Sequence, residues 1–211
     1  VVGDPKCRPD KAMGYEACKN AGTGPVAEGN VGAGTGATVG KFHGVAHMMK
    51  SGLGTYGVQI GALQVAAIVA VNALGDVVDV DTGKRIAGLL NEDNTALSNT
   101  EEAMYAQYAE DKNVFSGNTT IGCIVTNAKL TKSQANKLAS IAHNGYARAI
   151  RPVHTMADGD TIFVMATGEV EAMPDAVGAL ATEVMARAIN RAVRMAEPAY
   201  GLKAARDFET A

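Results

Sequence analysis

Apolar and polar positions change their spacing along the chain. Up to about Gly61 neither a helical nor a strand period persists. Glycine recurs in GTGPVAEGNVGAGTGATVGK (Gly22 to Lys41) and in SGLGTYG (Ser51 to Gly57), around the short run Phe42 to Lys50. That density suits turns and close backbone approach rather than helices. From Ala62 to Ala73 a run of Ala and Val reads as one buried strand, and the alternating VVDVD with the turn Asp81-Thr82-Gly83-Lys84 reads as a hairpin. Asn91 to Asn118 is polar and poor in strand formers, the pattern of an exposed linker, with a short helix over Glu101 to Glu110 behind Ser98 and Thr100 as caps. IGCIVTN (Ile121 to Asn127) is strand-like. Thr131 with Gln134 then forms a capping box before a helix whose apolar face carries Ala135, Leu138, Ala139, Ala142, Tyr146 and Ala149. TIFVMAT (Thr161 to Thr167) is a further strand. Pro174 opens a long helix through about Met195, with Val177, Leu180, Val184 and Ala188 on one stripe. The C-terminal third therefore runs strand, helix, strand, helix.

The length of 211 residues fits one compact domain with a sizeable core. With 47% hydrophobic and 19% charged residues the chain is too apolar to be disordered and too mixed for a membrane protein. Its longest apolar run, Ala62 to Leu74, is broken by Gln64 and Asn72 and falls short of the ~20 residues that span a bilayer. A formal charge of -3, with Lys and Arg scattered, supplies no basic stripe for nucleic acid and leaves a small molecule or peptide as the expected ligand. Cys7, Cys18 and Cys123 show no CxxC or Cys/His ligand spacing. They argue against a disulfide framework and a structural zinc, and for a cytoplasmic protein. The opening Val1-Val2-Gly3-Asp4-Pro5 reads as the end of a strand whose upstream part has been removed or omitted.

Two constellations could carry chemistry. Gly32, Gly34 and Ala37 satisfy GxGxxA, and Lys41 follows Gly40, which raises a nucleotide-binding or other ligand-binding domain that is not an enzyme. The context is wrong for it: Pro25 and Gly29 precede the glycines where a strand should stand, and a strand-like TVGKF follows where a helix should open. The second constellation is Gly117-Asn118-Thr119-Thr120-Ile121-Gly122, where the polar linker gives way abruptly to a strand. Cleavage of the Asn118-Thr119 bond would leave Thr119 with an α-amine, of reference pKa near ~8, beside its own hydroxyl, so a nucleophile would carry its own base. The plainer reading is that NTT simply leads into the strand.

The segment GNTTIGCIVTNAKLTKSQANKLASIAHNGYARAIRPVHTMADGDTIFVMATGE resembles the processed C-terminal subunit of the DmpA-like aminopeptidases (the L-aminopeptidase/D-esterase family), above all their 6-aminohexanoate-oligomer hydrolase branch. NTTI, the TNA turn after the strand, RPVHT and DGDT come in order and at comparable spacing. Upstream, GAGTGATVGK and VAVNALGDVVD resemble the later part of that family's α-subunit. The resemblance implies a four-layer α/β/β/α sandwich and a precursor that cuts itself into residues 1–118 and 119–211, with Asn118 the last α residue and Thr119 the nucleophile. Asp158 and Asp160 occupy the places of residues that hold the new amine and relay protons. Without the resemblance, Asp158-Gly159-Asp160 reads as a hydrophilic turn. Asn72 aligns with an oxyanion-hole amide, and Lys41 with a lysine beside the nucleophile. His143 and His154 are expected to be structural, and Cys123 a small buried hydrophobe.

The activity implied is hydrolysis of a small peptide or linear amide through an acyl-enzyme, with no metal or organic cofactor, in a homo-oligomer of αβ units. Acyl transfer, as in ornithine acetyltransferase relatives, is the neighbouring alternative. The family's longer α-subunit also supplies a tyrosine to the oxyanion; Tyr56 does not fill that place, because it follows TGATVGK rather than preceding it.

Overall fold

A computed structural model describes residues 2–4, 6–108 and 118–208. Its centre is a four-stranded sheet in the order β3 (Leu53–Ile60), β4 (Leu63–Ala70), β7 (Ile121–Ala128), β9 (Thr161–Val170), antiparallel except for the parallel pair β7 and β9. A shorter sheet places β5 (Asp76–Val78) between β6 (Arg85–Ala87) and β8 (Ile150–Arg151), and β1 (Thr38–Val39) pairs with β2 (Met49–Lys50). The helices are α1 (Lys11–Lys19), α2 (Thr100–Tyr108), α3 (Lys132–Ala149) and α4 (Pro174–Arg194).

The expected order of strand, helix, strand, helix is present. Helix α3 starts at the Thr131–Gln134 capping box and crosses from β7 to the parallel β9, with the two-residue β8 inserted after it. Hairpin β5–β6 also forms where the turn at Asp81 to Lys84 placed it.

Four expectations are corrected. From Leu53 on, the glycine-rich SGLGTYG is strand β3 rather than a turn, paired along β4, and its glycines do serve the expected close approach: a Cβ at Gly54 would sit 2.1 Å from the Ala188 carbonyl oxygen of α4. The run from Ala62 ends as a strand at Ala70; ladder bonds continue to Val71, whose N–H donates to the Gly52 carbonyl, and to Asn72, and the chain then leaves for β5 in the shorter sheet. Asn99, not Ser98 or Thr100, caps α2 by accepting from the N–H groups of Glu101 and Glu102, while Thr100 turns inward to the Asp76 carboxylate. Val2 to Asp4 belong to no strand, and the exposed helix α1, capped by Asp10, stands where no helix was expected. The last two residues of the helix expected over Glu101 to Glu110 lie outside the described residues.

The core lies between the helices and one face of the large sheet. Val65, Ala67 and Val69 of β4 are buried there beside Ile124 of β7 and against Val184, Met185, Ala188 and Ile189 of α4. Leu180 is only half-buried and Ala181 takes its place in the stripe. Strand alternation sends Ala66, Ile68, Ile121, Val125, Phe163 and Met165 to the opposite face. There Phe163 and Met165 are 59% and 63% exposed, so this apolar face has no covering layer among the described residues.

Candidate active site

The parallel pairing of β7 and β9 runs on past the N-terminal end of both strands and lays residues 118–120 along residues 157–161. Asn118 N–H donates to the Ala157 carbonyl (3.3 Å), Gly159 N–H to the Asn118 carbonyl (2.9 Å) and Thr161 N–H to the Thr120 carbonyl (3.0 Å). On the other side, Thr119 N–H donates to the backbone carbonyl of Asn72 (3.0 Å). The expected cleavage bond is thus gripped on both flanks. The Thr119 hydroxyl donates to the Asn118 carbonyl oxygen at 2.5 Å. Asn118 is buried, yet among the described residues neither its amide oxygen nor its amide nitrogen has a hydrogen-bond partner, a defect that costs about 1–3 kcal/mol per group.

Crossing from β4 brings Asn72 to Lys41, because Lys41 N–H and Gly40 N–H pair with the carbonyls of Leu74 and Gly75. Lys41 Nζ donates to the Asn72 backbone carbonyl (3.0 Å) and to Asn72 Oδ1 (2.6 Å), and Thr38 N–H also donates to that Oδ1 (3.2 Å). These donors fix the rotation of the amide, with its NH₂ end turned away from Lys41. Burial pushes the Lys41 ammonium down to about 8, against the Asp158 charge, which favours the proton.

The two aspartates are anchors of this arrangement. Asp158 accepts from the N–H and hydroxyl of Thr155 (3.0 and 2.6 Å) and, at 3.4 Å, from Leu74 N–H. Asp160 accepts from Thr120 N–H (2.9 Å) and lies 2.9 Å from His154 Nδ1. The nitrogen of Thr119 is therefore on Asn72, while Asp160 holds Thr120 and Asp158 ties the turn at Thr155 to Leu74. His154 adopts a left-handed backbone (φ 55°), uncommon for a residue with a side chain, and its ring packs against those of His143 and Tyr146, which also touch each other. Burial, then the neighbouring His154, lowers the His143 pKa. Burial and Asp160 push the Tyr146 phenol up, so it remains a donor, to the carbonyls of Thr120 and Thr161 (both 3.2 Å).

All six residues singled out in the sequence, Lys41, Asn72, Asn118, Thr119, Asp158 and Asp160, thus converge on one corner. Missed were Thr38, Thr155 and Gly159, whose contacts are backbone or hydroxyl contacts that no spacing advertises. The sequence places Tyr146 only on the apolar face of its helix. Cys123 lies half-buried on β7, away from this corner. The nucleotide reading loses its support: Lys41 is spent on Asn72, and Gly34 is small because a Cβ there would lie 2.3 Å from the Gly29 carbonyl oxygen.

The profile of Peptidase family S58 matches residues 4–206. An uncharacterized aminopeptidase of Mycobacterium leprae is 39% identical over 95% of this chain and 60% of its own length. A 6-aminohexanoate-oligomer endohydrolase of Kocuria is 30% identical over 88% of this chain and 56% of its own. Among solved structures, the L-aminopeptidase D-Ala-esterase/amidase of Ochrobactrum anthropi superposes with a TM-score of 0.59 at 22% identity, covering 88% of this chain and 49% of that one. A Burkholderia β-aminopeptidase does so at 0.63 and 25%, covering 92% and 54%. The likeness shows an N-terminal-nucleophile-hydrolase type of α/β fold with mixed sheets. The chain spans about 60% of the length of these curated relatives.

Proposed function

The chain belongs to peptidase family S58, and from that premise we propose that it cuts itself between Asn118 and Thr119 and that Thr119 then serves as the N-terminal nucleophile of an amide hydrolase. The observation that carries this reading is the Thr119 hydroxyl, 2.5 Å from the carbonyl oxygen of the residue before it. The nitrogen that would leave is already held on Asn72. The unpartnered amide of Asn118 raises the energy of the uncut state further.

After the cut the residues of the corner take up their roles. The Thr119 amine keeps the Asn72 carbonyl as an acceptor, and its lone pair takes the hydroxyl proton as Oγ attacks a substrate carbonyl. Lys41, charged below about pH 8, keeps that amine neutral by lowering its pKa. The NH₂ end of Asn72, aimed by Lys41 and Thr38, donates to the tetrahedral oxyanion. Asp158 and Asp160 hold the segment rigid and offer carboxylates to the new amine. Water then releases the acyl group. The substrate class is a small peptide or a linear ω-amino-acid amide, in keeping with the names of an aminopeptidase and a 6-aminohexanoate-oligomer endohydrolase among the relatives.

The open apolar face of the large sheet supports the four-layer α/β/β/α sandwich. A second sheet laid on Phe163 and Met165, from sequence of the kind that fills the rest of the relatives' length, would give two facing sheets between outer helices. Assembly of such αβ units into a homo-oligomer belongs to the same reading.

Intact mass under denaturing conditions tests the cut. Wild type made from its complete reading frame should give two pieces meeting between Asn118 and Thr119, and Thr119→Ala should stay whole. A wild type that stays whole in fresh and aged samples contradicts the reading.

A further inference from the structure

We infer that the backbone N–H of Gly159 is the oxyanion donor of the self-cleavage step, and that the absence of a side chain there admits the Thr119 hydroxyl to its carbonyl. The inference rests on the self-cleavage reading and adds a catalytic group to it.

The Asn118 carbonyl oxygen receives two donors, Gly159 N–H at 2.9 Å and the Thr119 hydroxyl at 2.5 Å. An ordinary ladder bond between parallel strands would serve only to pair them. This one ends on the oxygen that gathers negative charge when Thr119 Oγ bonds to the Asn118 carbonyl carbon. As that bond forms, the carbonyl π pair moves onto the oxygen facing Gly159. On collapse the carbon–nitrogen bond breaks and the hydroxyl proton passes to the Thr119 nitrogen, leaving an Asn118 ester on Oγ and a free α-amine. Water hydrolyses the ester to the Asn118 carboxylate and restores the hydroxyl. A donor fixed before the reaction stabilises such an oxyanion without reorganisation. Gly159 is fixed from both sides, by Asp158 on Thr155 and by Asp160 on Thr120 N–H and His154.

The steric half is equally specific. A Cβ built on Gly159 would lie 2.7 Å from Thr119 Oγ and 3.7 Å from the Asn118 carbonyl oxygen, so a methyl group would displace the nucleophile and spare the carbonyl. Gly159 does not have a left-handed backbone, so alanine meets no conformational penalty there. The DGD sequence thus pairs two anchoring carboxylates with the N–H between them.

Two variants made in the complete reading frame test this. Gly159→Ala keeps the N–H and adds the methyl group. Replacement of Gly159 by glycolic acid turns its N–H into an ester oxygen and adds nothing. Each should slow appearance of the 119–211 fragment by roughly 100-fold or more, the loss typical of one oxyanion donor, while near-ultraviolet circular dichroism stays that of uncleaved Thr119→Ala. Cleavage of both variants at the wild-type rate overturns the proposal and leaves the self-cleavage reading standing. If the glycolate variant alone keeps the wild-type rate, the donor role is overturned. A wild type that never splits overturns both readings.

Discussion

Lys41 and Lys50 sit in the same glycine-rich corner, both buried, and are used in opposite ways. Burial pushes each ammonium down to about 8. Lys50 spends its three donors on backbone carbonyls, those of Gly34 (2.8 Å), Ala37 (3.0 Å) and Ser51 (2.5 Å), and so ties the loop before β1 to the end of β2. Lys41 directs two donors at one residue, Asn72, with the charge of Asp158 nearby. Similar desolvation is thus offset in one case by loop geometry and in the other by holding a functional amide. Burial alone does not mark a functional lysine; what its donors hold does.

The largest expected effect breaks the structural side of this comparison. Lys50→Met takes a donor from each of three buried carbonyls and leaves that of Ser51 without one, since Gly34 and Ala37 still accept from the N–H groups of Ala37 and Ser51; it should cost about 3 kcal/mol of stability in urea titrations. A cost below about 1 kcal/mol would mean that water or a shifted loop replaces the lysine. Next comes pH. Between pH 8 and 10.5 the folded chain has released a proton that the unfolded lysine still holds, so unfolding takes up a proton and stability rises with pH by up to roughly 3 kcal/mol per lysine. Below pH 8 both states are protonated and the contribution is flat. Urea titrations at pH 7.5 and pH 10 should show this rise, with a smaller one in each single methionine variant.

Lys41→Met breaks the functional side. Amide hydrolysis by the matured protein should slow by roughly 100-fold, because the Asn72 amide is no longer aimed, while stability at pH 7 moves by less than about 1 kcal/mol. The reverse pattern, a loss of several kcal/mol with normal hydrolysis, would make the two lysines equivalent. The smallest effect comes from a third lysine, Phe163→Lys, placed on the open sheet face where its charge meets water. It should change the stability of residues 1–211 by no more than about 0.5 kcal/mol. In the complete reading frame a loss above about 2 kcal/mol would show that the face is covered.

The same contrast explains what could be read from the sequence. Helix α3 and strands β7 and β9 were legible because local period, capping box and tertiary burial agree along them. Strand β3 was not, since its glycines answer to α4, far away in the chain. Lys50, in a stretch reading Met-Met-Lys-Ser-Gly, looks like any solvated lysine until three carbonyls from different turns close around it. Thr119 was raised by the abrupt change from polar linker to strand, but the roles of Asn72, Lys41 and the two aspartates came only through resemblance to a family, because their convergence depends on the chain's path after β4 and on the ladder extended beyond β7 and β9. Gly159 between its aspartates read as a turn, and only the built distance to Thr119 gives it chemistry.

The central claim is that Thr119 Oγ attacks the Asn118 carbonyl, and an ester is what distinguishes that attack from hydrolysis by any other route. Protein from the complete reading frame should therefore be allowed to mature in the presence of hydroxylamine, and the fragment ending at Asn118 weighed by mass spectrometry. The account predicts a hydroxamate at Asn118 and a fragment beginning at Thr119 with a free amine. A fragment ending only in a carboxylate at unchanged cleavage rate, or a cut at another bond, would contradict it.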